Sequence, residues 1–269
     1  MTKKIKYGTT GKPHPYHIVD PSPWPLVGSI AGVLTTWGAV SYFHDGSVIK
    51  LLIGLALLAF TMFVWWGDIV KEAVKQKAHT PIVKIGMRYG MLLFIMSELM
   101  FFVAFFWAFF HVSLFPTEAI GSVWPPTTIE TIAPFDLPFM MTLILLLSGC
   151  SVTWAHHALI EDNQKDAVKG LAVTVALGVI FTGFQVYEYM HAPFGFKDTV
   201  FASTFYMATG FHGFHVLVGT IFLFVCLLRA KKGHFKPNDH FGFEAAAWYW
   251  HFVDVVWLFL FVAVYWFGG

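Results

Sequence analysis

The chain alternates long apolar stretches with short polar segments, and the polar segments hold most of its charged residues. Each apolar stretch has about 20 residues or more, which lets a helix cross about 30 Å of hydrocarbon. In lipid every backbone polar group needs a partner within its own segment, so the pattern predicts helices rather than strands. The predicted helices cover residues 24–43, 47–66, 82–111, 137–157, 167–190, 201–228 and 243–267. The fold class is therefore all-α, a polytopic membrane protein with seven transmembrane helices.

The basic residues predict how these helices are oriented. All but two of the 17 Lys and Arg residues fall in the N-terminal tail and around the segments that follow the second, fourth and sixth helices. Because positive charge accumulates on the inner side of a membrane, the N-terminus is predicted inside and the C-terminus outside. This orientation excludes receptors coupled to G proteins, whose N-terminus lies outside. Retinal proteins are excluded as well, since residues 243–269 contain no lysine for a Schiff base.

Composition agrees with the membrane class and limits the chemistry. Hydrophobic residues make up 57% of the chain and charged residues 12%, against about 25% charged in soluble domains. A net charge of +1 gives no basis for a nucleic-acid partner. Cys150 and Cys226 lie in apolar runs, and two cysteines cannot form a disulfide framework or a four-cysteine metal site. Phosphate-binding, nucleophile-elbow and zinc-protease motifs are absent, so the chain is predicted to be a subunit rather than a complete enzyme.

We predict one membrane domain over residues 1–269. It comprises an inner-side tail (1–20), a first helix pair (22–67) and a part with helices three to seven (80–269). The lysine-containing tail shows neither a signal peptide nor a transit peptide. This favours a bacterial inner membrane, and the alternative is the inner membrane of a mitochondrion that encodes the chain itself.

Glu98 is the clearest ionisable group inside the membrane, within the sequence LLFIMSELMFF. About 16 residues, or roughly 24 Å of helix, separate it from the start of the third helix, which places it near mid-depth. A carboxyl at this depth is by default a functional hypothesis, such as a proton carrier. The alternative is a packing role, with the carboxyl hydrogen-bonded to a neighbouring helix. A free-standing proton-coupled transporter would need polar neighbours on both sides, and only Ser97 is polar nearby.

Two further pairs of ionisable residues share a helix face through their i,i+3 spacing. They are His212 with His215 in the sixth helix and His251 with Asp254 in the seventh. Such pairs can ligate a metal or relay protons, but they more often hydrogen-bond between helices. One haem is conceivable from these histidines and two are not, because each pair spans only three residues. We predict structural polar pairs and no metal site.

Basic and polar residues also gather where the inner headgroups would lie. After the second helix they include Lys71, Glu72, His79 and Arg88, beside Trp65 and Trp66; after the sixth they include Arg229, Lys232 and His234. Basic pockets on the inner side can bind anionic lipid headgroups. The alternative is that these charges only set the topology.

Several segments together resemble the subunit III family of cytochrome c oxidases. They are residues 88–102, 153–157, 208–216 and 241–261, the PSPWP run at 21–25, and Trp65–Trp66. The motifs cover all seven helices in matching order and spacing. The resemblance implies a non-redox core subunit packed on subunit I of a proton-translocating oxidoreductase that oxidises cytochrome c and reduces oxygen to water. It implies no haem or copper in this chain, because subunits I and II hold them.

The resemblance also implies roles for particular parts of the chain. Helices one and two are separated from helices three to seven by a cleft filled with phospholipid. The subunit supports proton uptake, oxygen access and protection from turnover inactivation. Glu98 falls on the family's buried, carbodiimide-reactive glutamate, and the four residues of the polar pairs bind no metal in the family. The implied lipid-binding residues are Trp66, Glu72, His79, Arg88, Arg229, Lys232 and His234.

Overall fold

The computed structural model describes residues 14–269. Among them, seven helices are long and apolar enough to cross a membrane, which confirms the predicted fold class. The helices are α1 (Trp24–Asp45), α2 (Ile49–Lys71), α3 (Pro81–Leu114), α4 (Leu137–Ile160), α5 (Gln164–His191), α6 (Val200–Lys231) and α7 (Phe241–Leu260). Short π-helical turns extend α2 and α7, at Glu72–Gln76 and Phe261–Trp266, and a 3-10 turn lies at Glu118–Ile120. The part of the chain that the structure describes has no β-strand.

The helix ends fall close to the predicted ones, with one informative exception. The second helix was predicted to end at residue 66, yet α2 continues to Lys71 and then through the π-helical turn. Polar residues from Asp68 onward carry the helix beyond the apolar stretch, because hydropathy marks the membrane boundary and not the end of the helix. The helical run ends where Lys77 adopts a left-handed conformation with φ of 49°.

The chain divides into two compact units, and the boundary between them falls between Met87 and Arg88 within α3. In the first unit, α1 and α2 approach each other at glycines. A Cβ at Gly54 would lie 2.5 Å from the backbone nitrogen of Thr35, and Gly38 meets the backbone of Leu51 as closely. The indole nitrogen of Trp24 donates a hydrogen bond to Asp68 at 2.8 Å. Small residues therefore set the distance between these two helices.

The second unit has a larger interior, formed by α4 to α7 and the remainder of α3. Trp250 and Trp257 of α7 are fully buried. Their indole nitrogens donate hydrogen bonds to the hydroxyls of Ser148 and Thr142 on α4, at 2.9 and 2.8 Å. Satisfied polar groups of this kind hold helices together where water is absent.

Candidate functional site: a carboxyl within a helix and the basic groups at helix ends

Glu98 of α3 is hydrogen-bonded to His215 of α6. The carboxylate oxygen Oε2 lies 2.8 Å from the imidazole nitrogen Nε2. The other ring nitrogen of His215, Nδ1, lies 2.6 Å from the carbonyl oxygen of Phe211. A carbonyl oxygen only accepts, so Nδ1 must carry a hydrogen. One hydrogen then lies between Nε2 of His215 and Oε2 of Glu98. The pair is either an imidazolium with a carboxylate or a neutral imidazole with a carboxyl.

Aromatic rings enclose the histidine of this pair. The imidazole of His215 lies 4.9 Å from the ring of Phe102 and stacks with Tyr249 at 6.3 Å, centroid to centroid. The His215 side chain is 6% exposed, while that of Glu98 is 24% exposed on the surface of this chain. The only polar neighbour noted from sequence, Ser97, turns its hydroxyl back to the carbonyl of Phe94. The pair is therefore a local polar contact in apolar surroundings.

The two histidines of α6 have different partners, although they share a helix face. The imidazole of His212 is fully buried, and its Nε2 donates to the carbonyl oxygen of Val253 on α7 at 3.2 Å. Its ring contacts Phe181 and Trp257. The spacing that suggested a shared metal site instead directs one histidine to α7 and the other to Glu98.

His251 and Asp254 of α7 do face each other, with Nδ1 and Oδ2 3.4 Å apart. The other nitrogen of His251 lies 3.2 Å from the hydroxyl of Thr153 on α4. Gly149 of α4 makes room for the carboxylate, because a Cβ there would come within 2.5 Å of Oδ2 of Asp254. The pair thus forms part of the contact between α4 and α7.

Arg229 and His234 form a basic group at the end of α6 in the second unit, together with the exposed Lys232. The guanidinium of Arg229 lies over the ring of Phe235 at 4.5 Å. Its Nε and the Nδ1 of His234 are both buried without a hydrogen-bond partner among the residues described. Burial, followed by the positive charges of Arg229 and Lys232, holds the pKa of His234 below its usual value. An anion would satisfy the guanidinium donor of Arg229.

Arg88 has a partner that the sequence did not reveal. Its Nε and Nη2 each lie 2.9 Å from a carboxylate oxygen of Glu244, a bidentate ion pair. Glu244 was not singled out from sequence. Its place in the first turn of α7 was the available signal, since carboxylates are favoured near helix N-termini.

The remaining predicted lipid residues lie in the first unit. Trp66 is exposed on α2. Glu72 begins the π-helical turn, and its Oε2 lies 4.0 Å from Nε2 of His79. The same oxygen lies 3.9 Å from Nδ1 of His17, a residue that sequence reasoning missed because it is far away along the chain.

Comparison with known proteins decides the family. Residues 14–269 match the family model of cytochrome c oxidase subunit III. The chain is 58% identical to cytochrome c oxidase subunit 3 of Prototheca wickerhamii, covering 95% of this chain and 98% of the relative. It is 56% identical to the proteins of that name from Arabidopsis thaliana and Scyliorhinus canicula, covering 95% of this chain and 97% and 98% of theirs. The chain belongs to the cytochrome c oxidase subunit III family.

Membership in the cytochrome c oxidase subunit III family confirms the resemblance seen in the sequence. It makes the chain a membrane-embedded part of an oxidase complex that contains other subunits. The relatives named above are eukaryotic. They give no support to the predicted bacterial membrane, whereas the mitochondrial alternative fits them.

A further polar cluster of this family member lies near the C-terminal end of α5. Glu188 is buried, and its Oε1 accepts hydrogen bonds from Tyr265 at 2.7 Å and Gln185 at 3.2 Å. A cavity of about 380 Å³ adjoins it, also lined by Glu130 and His191. Glu188, which lies one turn before the end of α5, was not singled out from sequence.

Proposed function

We propose that the chain is the non-redox third subunit of a cytochrome c oxidase, packed on subunit I. The family match over residues 14–269 carries this proposal. Subunits I and II hold the haem and copper, and the complex oxidises cytochrome c, reduces oxygen to water and pumps protons. The chain itself has no catalytic centre. Its membrane histidines support this, because His212, His215 and His251 are engaged by Val253, Glu98 and Asp254.

The proposed membrane arrangement follows the charge distribution. The N-terminus is inside and the C-terminus outside, since nearly all Lys and Arg residues fall on one side. The compartment is the mitochondrial inner membrane. Helices one and two form one bundle and helices three to seven another, within a single membrane domain.

Anionic phospholipid headgroups are the proposed ligands of the inner-side residues. The strongest support is the buried Nε of Arg229, since a buried guanidinium donor without a partner is costly. Arg229 with its neighbour His234 also offers an unpartnered imidazole nitrogen. The complete proposed set is Trp66, Glu72, His79, Arg88, Arg229, Lys232 and His234.

The lipid role is tested by mass spectrometry of phospholipids retained by the purified oxidase. Arg229→Gln should reduce the tightly bound anionic phospholipid. Arg229→Lys should restore it only in part, because lysine keeps the charge and loses the bidentate fork. The matched control is Lys169→Gln, at an exposed inner-side lysine that pairs with Asp166. Equal lipid content in Arg229→Gln and the control would refute the role.

The Glu98–His215 pair is proposed to support proton uptake by the complex without being essential to oxygen reduction. The subunit as a whole is proposed to aid oxygen access and to protect the oxidase from inactivation during turnover. The test compares oxidase prepared with and without this chain. We expect the same visible haem spectrum and a similar initial rate, but faster inactivation without the chain. A changed haem content would show that the chain holds a redox centre.

A further inference from the structure

His251 differs from the other members of the polar pairs because its side chain lies partly on the surface of this chain. It is near the middle of the helical run Phe241–Trp266, which is long and apolar enough to cross a membrane. The His251 side chain is 46% exposed, whereas that of its partner Asp254 is 8% exposed. Ionisable residues in membrane-spanning helices almost always face protein or water rather than lipid. The exposed side of His251 therefore needs a cover other than lipid tails.

The hydrogen bonds within the chain leave an acceptor open beside this imidazole. Nε2 of His251 lies 3.2 Å from the hydroxyl oxygen of Thr153 on α4. That hydroxyl donates to the carbonyl oxygen of Gly149 at 2.9 Å, so it accepts from the imidazole and keeps a second lone pair. Thr153 is itself exposed. Its hydroxyl can therefore accept a further hydrogen bond from a donor outside the chain.

Around this polar centre, α7 presents a narrow stripe. Between residues 245 and 260, only five residues of α7 are not buried, namely Trp248, His251, Val255, Leu258 and Phe259. The first four follow one another at alternating spacings of three and four residues, as at the seam between two packed helices. Val255 is the next member of the stripe after His251 and is 63% exposed. The middle of α7 therefore leaves a single stripe for contact with another helix.

The neighbouring helix α4 widens this stripe into a face formed by two helices. Exposed residues of α4 with the same alternating spacing include Leu143, Leu146, Cys150 and Thr153. The helices remain adjacent along this surface, because Thr153 contacts His251 and the rings of Phe139 and Phe261 lie 6.3 Å apart further along. We refer to these four residues of α4 and the stripe of α7 together as the α4–α7 face.

The middle of α5 gives a contrast within the same unit. Its exposed residues between 171 and 180 are all apolar, namely Ala172, Val173, Ala176, Val179 and Ile180. Such a surface suits lipid tails, which offer no hydrogen bonds. An apolar face with a polar centre instead fits another helix, because polar side chains hydrogen-bond between helices within a membrane.

We infer that the α4–α7 face is the docking surface for a transmembrane helix of subunit I, the larger haem-bearing subunit of the proposed oxidase. The partner helix is apolar along most of the contact and carries a hydrogen-bonding side chain opposite His251 and Thr153. Lipid is the poorer occupant, because its tails leave the polar centre unsatisfied. The inference rests on the proposed function, which places this chain on subunit I.

The test places a photoactivatable benzophenone amino acid at Val255 in the purified oxidase and identifies the cross-linked partner by mass spectrometry. The control position is Val179 of α5, which is 58% exposed against 63% for Val255. We expect subunit I to be cross-linked from Val255 and not from Val179. A cross-link from Val255 to lipid, to a second copy of this chain or to another subunit would overturn the inference, and so would equal yields of the subunit I product from both positions.

The composition of the preparation separates this inference from the proposed function. Absence of the larger haem-bearing subunits would refute both. A wrong cross-linked partner in an intact oxidase would refute the docking surface alone.

A second pair of variants adds bulk without touching the polar centre. Val255→Trp should release this chain from the oxidase in mild detergent, because a covered surface has no room for a larger side chain. Val179→Trp should leave the chain in place, because lipid adapts to the added bulk. The measurement is the fraction of this chain that copurifies with the larger subunits. Equal retention of both variants would contradict a helix docked at Val255.

A third pair of variants tests the polar centre itself. Thr153→Val keeps the shape of the side chain and removes the hydroxyl, so retention of the chain should weaken by about threefold. The control is Thr182→Val in α5, where the hydroxyl bonds to the carbonyl oxygen of Gly178 in its own helix. The measurement is the detergent-dependent dissociation of the chain from the oxidase. The same dissociation for both variants would exclude Thr153 from the contact.

Discussion

The helix pair α1–α2 and the bundle of α4 to α7 are stabilised in different ways. The pair meets at Gly38 and Gly54, where backbone packs on backbone, and its large side chains such as Trp37 and Phe63 are exposed. The bundle buries Trp250 and Trp257 completely and joins its helices through hydrogen bonds from their indole nitrogens to hydroxyl groups. Backbone contact fixes the distance between α1 and α2, but the pair buries few residues of its own.

This difference teaches where each region obtains its stability. In lipid, apolar side chains gain nothing by leaving the tails, so close packing and hydrogen bonds decide helix association. The bundle has both within its own residues. The pair has close packing at few positions, and its exposed side chains depend on lipid or on a neighbouring subunit. Disruption of one glycine should therefore affect the pair more severely than loss of one hydrogen bond affects the bundle.

The largest expected effect is that of Gly54→Leu. Its Cβ would lie 2.5 Å from the Thr35 backbone, which cannot yield as a flexible side chain would. We expect α1 and α2 to separate and the chain to be lost from the purified oxidase, as judged by subunit content. Gly32→Ala is the control, because its Cβ meets nothing within 4 Å. Normal incorporation of Gly54→Leu would show that the pair is not held by this contact.

The next largest effect concerns the bundle. Trp257→Ala removes a fully buried side chain and its hydrogen bond to Thr142, so we expect about 3 kcal/mol of destabilisation. Trp37→Ala, at an exposed tryptophan of α1, should change stability by less than about 0.5 kcal/mol. The measurement is the midpoint of thermal dissociation of the chain from the complex. Similar shifts for both variants would remove the contrast between the two regions.

A smaller effect is expected from Glu98→Gln. The amide keeps the shape of the carboxyl and can still hydrogen-bond to His215, so about 0.6 kcal/mol of interaction should be lost. Steady-state oxygen consumption should stay close to the wild-type rate. Near-complete loss of turnover in an assembled complex would contradict a supporting role for Glu98.

The last expected effect is a pH dependence of lipid affinity. The pKa of His234 lies below its usual value of about 6.5, so the imidazole is neutral at pH 7. As the pH falls through that pKa, protonation adds a positive charge beside Arg229 and Lys232. Affinity for anionic vesicles should then rise by about fivefold, from about 1 kcal/mol per basic residue. His234→Gln should abolish this rise, and an identical pH response in both proteins would exclude His234 as its source.

Much of the fold could be predicted because the bilayer imposes one dominant pattern. The seven spans follow from apolar length, and Pro81 and Pro138 mark helix starts. The end of α2 could not be found in this way, since its last turns are polar and leave the apolar region. Its continuation through Lys71 depends on local packing that hydropathy does not report.

The sequence identifies many of the residues at the sites, but it predicts only some of the contacts between them. Glu98 stood out as a carboxyl in an apolar run, and the His251–Asp254 contact follows from spacing within one helix. Pairing of Glu98 with His215, and of Arg88 with Glu244, depends on how whole helices are rotated about their axes. His17 joins Glu72 through a turn between distant segments, and no periodicity in the sequence encodes that turn.

The central claim is that this chain works as a non-redox subunit of an oxidase. The most direct test is to tag the chain, solubilise native membranes gently, purify it and record a reduced-minus-oxidised spectrum. The account predicts an a-type haem signal together with two larger copurifying subunits, and loss of the signal when the chain is separated from them. A colourless chain without partners, or haem retained by the isolated chain, would contradict it.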